Sequence, residues 1–246
     1  MDFEVGLTRH KLAQQTLYLP YHYLSDQSRT HRPAQLTYGL FHDGRLAGAC
    51  AFAGFPVAEL FKGIFGIEDF RNYDQRGFHE LSRLCIHPDY QQEKGLASWF
   101  VSRCLKQLKQ HYASQKDTPG NKKRCRAVLS YADDEVHSGV IYAATNFKYY
   151  GLSAPKFNIW LPWSREKGGK FLPEHKRPGR SETHWKQMSR GWKVHLDNGG
   201  IKVPRGQKHR FLLVWDRKLQ KQIRWTEEKW VNNKAGQVIN THPKYQ

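Results

Sequence analysis

Between a β-prone run and a long amphipathic stretch the chain reads Gln92-Glu93-Lys94-Gly95-Leu96-Ala97. A turn of this kind opening a helix aims free backbone N–H groups outward at the positive end of the helix dipole, which is the geometry that holds a pyrophosphate. Gly95 lets the backbone approach an anion closely, and the small Ala97 leaves room beside it. Many helices begin with a glycine and a small residue, so the hexad alone says little. Its setting says more: a strand, His87-Pro88-Asp89, a loop, the glycine, then a long helix.

Further residues could do chemistry. Asp133 follows a β-run, and the carboxyl ends of strands are the usual place for chemistry in open α/β sheets. Asp133-Asp134-Glu135 also suits a helix start. On the run 78–86, Arg83 would be costly to bury unpaired on a central strand, which favours a site role. Ser82 beside it needs no role. Glu80 shares the face of Ser82 by two-residue alternation and reads equally as a base or as an edge charge. Tyr149 and Tyr150 alternate on a later strand, one facing in and one out, with Tyr150 a candidate but the weaker of the two. Lys208-His209-Arg210 opens an apolar run that fixes it in place, so it reads as a phosphate contact, the bland alternative being a solvated charge run.

The elements that must position these residues follow from pattern. Leu36–Phe41 and Leu46–Phe52 flank Asp43-Gly44 and predict a hairpin. The stretch 56–76 reads as loop or helix. Phe78–Ile86 predicts a strand ending at His87-Pro88. From Gly95 to Tyr112, apolar Leu96, Ala97, Phe100, Val101, Cys104, Leu105 and Leu108 recur at helical spacing, with Arg103, Lys106 and Lys109 on the other face. Ala127–Ala132 predicts a strand, 139–146 a short helix and Phe147–Gly151 a strand, an α/β order. The Gly-, Pro- and charge-rich 164–191 reads as an excursion. Trp192–Leu196 and Arg210–Trp215 read as late strands, and the last thirty residues as ordered only against something else.

Composition bounds the function. The 246 residues are 39% hydrophobic and 13% aromatic, enough for a core and too patterned for a disordered tail. No apolar run approaches the roughly 18 residues needed to span a bilayer. The start, Met1-Asp2-Phe3-Glu4, carries acid where a signal peptide wants base, so secretion is not expected. Cys50, Cys85, Cys104 and Cys125 lack paired spacing and sit among apolar neighbours, which predicts reduced core thiols rather than disulfides or structural zinc. The net charge of +18 is uneven: residues 1–163 hold 20 basic and 15 acidic side chains, residues 164–246 hold 20 and 7. The latter segment also carries Trp185, Trp192, Trp215, Trp225 and Trp230. Basic residues interleaved with aromatics suit a polyanion with stacking faces, and so nucleic acid, ahead of a membrane surface or a plain solvated face.

The Gln-x-x-Gly-x-Ala turn after a strand resembles the acyl-CoA pyrophosphate loop of the GNAT acyltransferases, and Ile141–Gly151 is similar to their late helix and strand. Within them, Glu80-Leu81-Ser82-Arg83-Leu84, Ser130-Tyr131-Ala132-Asp133, His137–Tyr142 and Lys208-His209-Arg210-Phe211 resemble the Mom family, phage proteins that modify adenine in DNA. The likeness runs from about His22-Tyr23 to Arg210. It implies a mixed α/β, GNAT-like fold over 1–163 with a basic, Trp-rich C-terminal extension, 164–246, that packs on the core and binds DNA. It also implies addition of a carbamoylmethyl group to the exocyclic amine of adenine in double-stranded phage DNA, in the cytoplasm of an infected bacterium, as protection from host restriction. A conventional N-acetyltransferase acting on a protein or small-molecule amine is the alternative, and it leaves the C-terminal charge without a purpose.

By the same resemblance Gln92, Lys94, Gly95, Leu96 and Ala97 would hold acetyl-CoA or another acyl donor. Tyr142 would be the acid that protonates a leaving thiolate, or else simply a packed aromatic. Ser82 and Arg83 would line the donor, Asp133 would join the catalytic set, and His22 and Tyr23 would reach the extruded base. Ordinary acyl transfer yields an acetylated amine, whereas a carbamoylmethyl group joins nitrogen to a CH2 carbon. Either the donor is not plain acetyl-CoA or a redox-active metal such as iron takes part. The candidate ligands are His22, His79, Asp133 and His137, none at diagnostic spacing.

Overall fold

The computed structural model describes residues 2–22, 34–55, 58–68, 77–115, 124–134, 138–160 and 201–231. Phe3–Leu7 forms β1, an edge strand that the sequence pattern does not announce. A helical segment follows, α1 (His10–Ala13) running through a π-turn (Gln14–Tyr18) into α2 (Leu19–Tyr21). Strands β2 (Leu36–His42) and β3 (Arg45–Gly54) make the expected hairpin. Asp43 and Gly44 turn it at φ 49° and 73°, the positive-φ pair whose twist matches the flanking strands. The 56–76 stretch contains α3 (Ala58–Phe65).

Next come β4 (Phe78–Ile86), a 3-10 turn (Pro88–Tyr90) and α4 (Leu96–Ala113), then β5 (Ala127–Asp133), α5 (Val140–Ala144) and β6 (Lys148–Leu152). Two strands, β7 (Lys156–Trp160) and β8 (Ile201–Arg205), pair antiparallel. The chain then runs through β9 (Lys208–Val214) and α6 (Arg217–Gln220).

The main sheet has the order β1-β2-β3-β4-β5-β9-β6. Only β4 and β5 pair parallel, with α4 in the crossover between them; every other neighbouring pair is antiparallel. This is the mixed α/β class expected. One face carries α4 and α5, which bury Phe100, Val101, Cys104, Leu108 and Tyr142 against Leu40, Cys50, Phe52, Leu81, Val128 and Phe211. Fully burying one such Leu or Phe contributes about 1.5–3 kcal/mol, so the α4 stripe alone anchors the crossover. On the other face α3 packs on Phe78, Leu129 and Leu212, while Ala13, Leu17 and Tyr18 pack on Ala49, Ala51 and Cys85. Alternate β3 residues serve opposite faces, which is why the strand reads as a nearly unbroken apolar run.

The chain divides into two compact units, residues 1–152 with those from 208 onward, and residues 153–207. The boundary expected at 163/164 therefore falls inside the second unit. Phe211, Leu212 and Val214 are buried between β5 and β6, so β9 belongs to the core sheet and not to an appendage. The chain's end, expected to be partly ordered only against something else, packs over 217–231 on this chain's own cores. Trp225 packs beside Tyr150, and Trp230 packs on the opposite face with its indole Nε1 donating to Ser138 O at 3.1 Å. Trp185 and Trp192, with the strand expected at 192–196, lie outside the described residues. All four cysteines are buried free thiols, as expected. Among the described residues no helix is long and apolar enough to cross a membrane.

Candidate active site

The turn singled out in the sequence stands where predicted. Gly95 is the N-cap of α4 at φ 78°, and a Cβ there would meet nothing within 4 Å. Its glycine is needed for the left-handed backbone and not for want of space. Leu96 N donates to Glu93 O at 3.1 Å and Trp99 N to Gly95 O at 2.9 Å, so the N–H groups of Ala97 and Ser98 are the ones helix geometry leaves over. No acid occupies the first turn of α4 to compete with an anion. Gln92, Lys94 and Gly95 are exposed and Ala97 is half-buried. Leu96 is buried at 8% exposure and anchors the turn to the core, so of this set it is the one whose side chain cannot face a ligand.

Beside the turn the sheet opens. β4 and β5 are in register only from Phe78↔Ala127 to Leu81↔Ser130; Ser82–Ile86 and Tyr131–Asp133 continue without pairing to each other. A bulge at the same level, where Ala51↔Arg83 is followed by Phe52↔Leu81, leaves Ser82 as the extra residue. Bulges bend a strand and re-aim its side chains. Here the bulge sets Arg83 opposite Ala51 and Glu80 opposite Ala53, so Glu80 and Arg83 share one face. Ser82 Oγ donates to Ala51 O at 3.2 Å, and Arg83 Nη1 to Ser82 O at 2.6 Å.

The last paired residue, Ser130, donates from Oγ to Leu81 O at 3.2 Å and marks the apex of the opening. The Tyr142 phenol reaches it from α5. Burial pushes the Tyr142 hydroxyl up to about 12, with the Ser130 hydroxyl partly offsetting and Glu80 adding. At its start α5 approaches so closely that a Cβ at Gly139 would run into the Phe211 ring. The structure thus brings Tyr142, Ser130 and the β4 bulge to one place.

A second polar group gathers at the end of β5. Asp133 Oδ2 lies 3.9 Å from Lys208 Nζ. Asp134 Oδ1 lies 2.8 Å from His209 Nε2, whose Nδ1 lies 2.9 Å from Tyr149 Oη. Arg210 donates from Nε to Gly151 O at 3.4 Å and covers the Trp225 ring at 4.5 Å. Lys208, His209 and Arg210 are therefore each engaged within the chain. Burial raises the Tyr149 pKa, Glu228 and Asp134 raise it further, and Arg210 opposes them.

Other predicted residues lie elsewhere. Tyr150 is 3% exposed on the opposite face from Tyr142, in the core that contains Leu212 and Val214. Burial raises its hydroxyl to about 12, and the residue lines a cavity of about 370 Å³ with Trp225 and Ile223. Because Leu212–Val214 pair with Ala127–Leu129, that cavity sits at the amino end of β5, away from the opening. His22 is buried against the Tyr18 ring, 6.1 Å between centroids, and so packs where it was expected to reach a base. His79 is fully buried beneath α4 against Tyr112. Tyr23 and His137 lie outside the described residues. Among the described residues no three His, Cys, Asp or Glu side chains converge as a metal site. In the sequence Asp134 reads only as part of a helix start, and the doubled Tyr149-Tyr150 is the available signal for the other partner, though alternation alone cannot tell which tyrosine faces the site.

A family model described as the Mom protein family matches residues 2–232. Among curated proteins none matches. Solved structures resembling the chain include an N-acetyltransferase from Staphylococcus aureus, at 10% identity and TM-score 0.43 over 88% of this chain and 100% of that one. Another is a putative acetyltransferase from Salmonella typhimurium with its cofactor acetyl-CoA, at 12% and 0.43 over 88% and 96%. A third is an IAA acetyltransferase from Bacillus cereus, at 10% and 0.42 over 87% and 99%. Likeness this distant says nothing of substrate or donor.

Proposed function

Because this chain belongs to the Mom protein family, we propose that it adds a carbamoylmethyl group to the exocyclic amine of adenine in double-stranded DNA. The setting is the cytoplasm of a phage-infected bacterium, where the mark shields phage DNA from host restriction. The observation that carries this reading is the family match, which extends over residues 2–232 and so takes in the α4 turn, the opening between β4 and β5 and the strands that return to the sheet.

The residues fit an acyl-CoA-type donor. The exposed Gln92–Gly95 turn, its positive φ and its acid-free first helical turn suit a pyrophosphate, with Lys94 adding charge. When bound, such a donor supplies an activated carbon attached to a good leaving group. Tyr142 holds its proton throughout the neutral range, since burial lifts its pKa to about 12, and so serves as an acid rather than a base. Ser130 orients the phenol at the apex, and the core around Phe211 keeps water from it. The excess of basic residues in 164–246 favours the DNA backbone as the surface those residues meet. A buried amine in duplex DNA must be extruded before it can react.

The reading is tested by expressing the protein in bacteria and challenging plasmid DNA from those cells with endonucleases whose sites contain adenine. The expected result is protection that disappears in Gly95→Val. DNA cut as readily as DNA from control cells contradicts it.

A further inference from the structure

We infer that Tyr149, His209 and Asp134 form a proton relay in which the Tyr149 phenol takes the proton that the acceptor amine must lose. The inference rests on the reading above that an adenine amine is the acceptor. It does not depend on the donor: any group that replaces one hydrogen of an amine obliges one proton to leave the nitrogen.

The geometry is that of a carboxylate orienting an imidazole that in turn addresses a hydroxyl. Asp134 Oδ1 is 2.8 Å from His209 Nε2 and Tyr149 Oη is 2.9 Å from His209 Nδ1. A carboxylate can only accept, so in the neutral ring Nε2 carries the hydrogen and Nδ1 is left to accept from the phenol. The proton from the amine would pass to Tyr149 Oη as the tyrosine's own proton passes to His209 Nδ1. The resulting imidazolium faces the Asp134 carboxylate. One N–H bond breaks and one forms, and no oxidant or reductant is needed.

Three strands bring these residues together. Asp134 directly follows β5, His209 is in register with Ala132, and Tyr149 is in register with Phe211. The Phe211 ring lies 5.3 Å from Tyr149 and 5.2 Å from Tyr142, so the relay shares a face with the acid at the apex and stands one ring away from it. The pair is partly open to solvent, with His209 17% and Asp134 44% exposed, as an acceptor site must be. The strand is held from outside as well, since Glu228 N donates to Tyr149 O at 2.9 Å. The charged and titratable groups acting on Tyr149 are His209 and Arg210 from β9, Asp134 after β5 and Glu228 after α6.

The relay separates from a merely structural lock in three measurements on the full chain: adenine adducts in DNA from expressing cells, thermal stability, and binding to a fluorescent duplex. Tyr149→Phe keeps the ring on Phe211 and removes only the hydroxyl. The expected result is an adduct yield lower by about 100-fold or more with melting and duplex binding unchanged, the range general acid–base groups supply. Asp134→Asn, on a half-exposed side chain, should lower the yield by about tenfold and move the imidazole 15N shifts of His209 away from the Nε2–H tautomer, a signature that a packing role would not give. Adducts at wild-type level in Tyr149→Phe overturn the relay alone, and so does a wild-type His209 carrying its hydrogen on Nδ1. DNA without adducts from cells expressing the wild type overturns the acceptor reading, and the relay with it.

Discussion

His79 offers the most quantitative test of how the core treats a polar side chain. It sits on β4 at 0% exposure, its ring 5.3 Å from that of Tyr112, and neither ring nitrogen has a well-formed hydrogen bond. Burial lowers its pKa from 6.5 to about 4, with the Ala53 backbone offsetting part of the effect and His111 adding to it. The folded pKa is depressed, so the unfolded chain binds the proton first as pH falls. Stability is therefore full above about 6.5 and is lost as pH drops toward about 4. With a pKa unit worth about 1.4 kcal/mol, the loss between pH 7 and pH 5 is about 2 kcal/mol, growing to about 3 kcal/mol by pH 4. For a chain of this size about 2 kcal/mol corresponds to a melting shift of roughly 4–8 °C. Carboxylates contribute acid sensitivity of their own, so the informative quantity is the difference between wild type and His79→Phe, followed by thermal unfolding from pH 7 to pH 5. The variant should lose that much less stability over the interval. Parallel curves would refute the reasoning and place a partner or a water path at the imidazole.

Gly95→Val should cost about 1–2 kcal/mol, the price of a Cβ in the left-handed region with no clash added, or roughly 2–8 °C in melting temperature. It should abolish DNA modification although the protein stays folded; normal modification would remove the α4 turn from donor binding. At alkaline pH the Tyr142 and Tyr150 hydroxyls, both raised to about 12, contribute stability that is full below 10.0 and lost as pH climbs through about 12. Tyr142→Phe should flatten that limb of the unfolding profile, and an unaltered limb would mean that the phenol is solvated. Trp225→Ala, which removes the Arg210 stack at 4.5 Å and the Tyr150 contact, should destabilise by about 2–3 kcal/mol in urea unfolding. A change below about 0.5 kcal/mol would mean that the segment after α6 is not docked.

What could be read from the sequence was local. The Asp43-Gly44 hairpin, β4, the α4 stripe and the glycine at its N-cap each declare themselves through a period or a turn residue within a few positions. The site's other half is assembled over distance. His209 meets Asp134 across 75 positions and Tyr149 across 60, and no periodicity encodes such meetings. The bulge at Ser82 escaped for a related reason. Strict alternation places Glu80 with Ser82, whereas the extra residue brings Arg83 to the face of Glu80, and only pairing with β3 reveals it. Two adjacent aromatics on a strand, Tyr149 and Tyr150, announce opposite faces without saying which face holds the site. The tryptophans misled in part: Trp215, Trp225 and Trp230 are partly buried against this chain's own cores, so they are not free stacking faces, and the case for DNA from 164–246 rests more on charge than on rings.

The central claim, that this chain places a group on the adenine amine of DNA, is tested most directly by nucleoside mass spectrometry. Total DNA from cells expressing the wild type is digested to nucleosides, and deoxyadenosine is fragmented to locate any added mass. The account predicts a deoxyadenosine heavier by one carbamoylmethyl group, with the mass on the base and absent in Gly95→Val. An unmodified deoxyadenosine pool from cells holding soluble, folded protein would contradict it, as would an acetyl group in the same position.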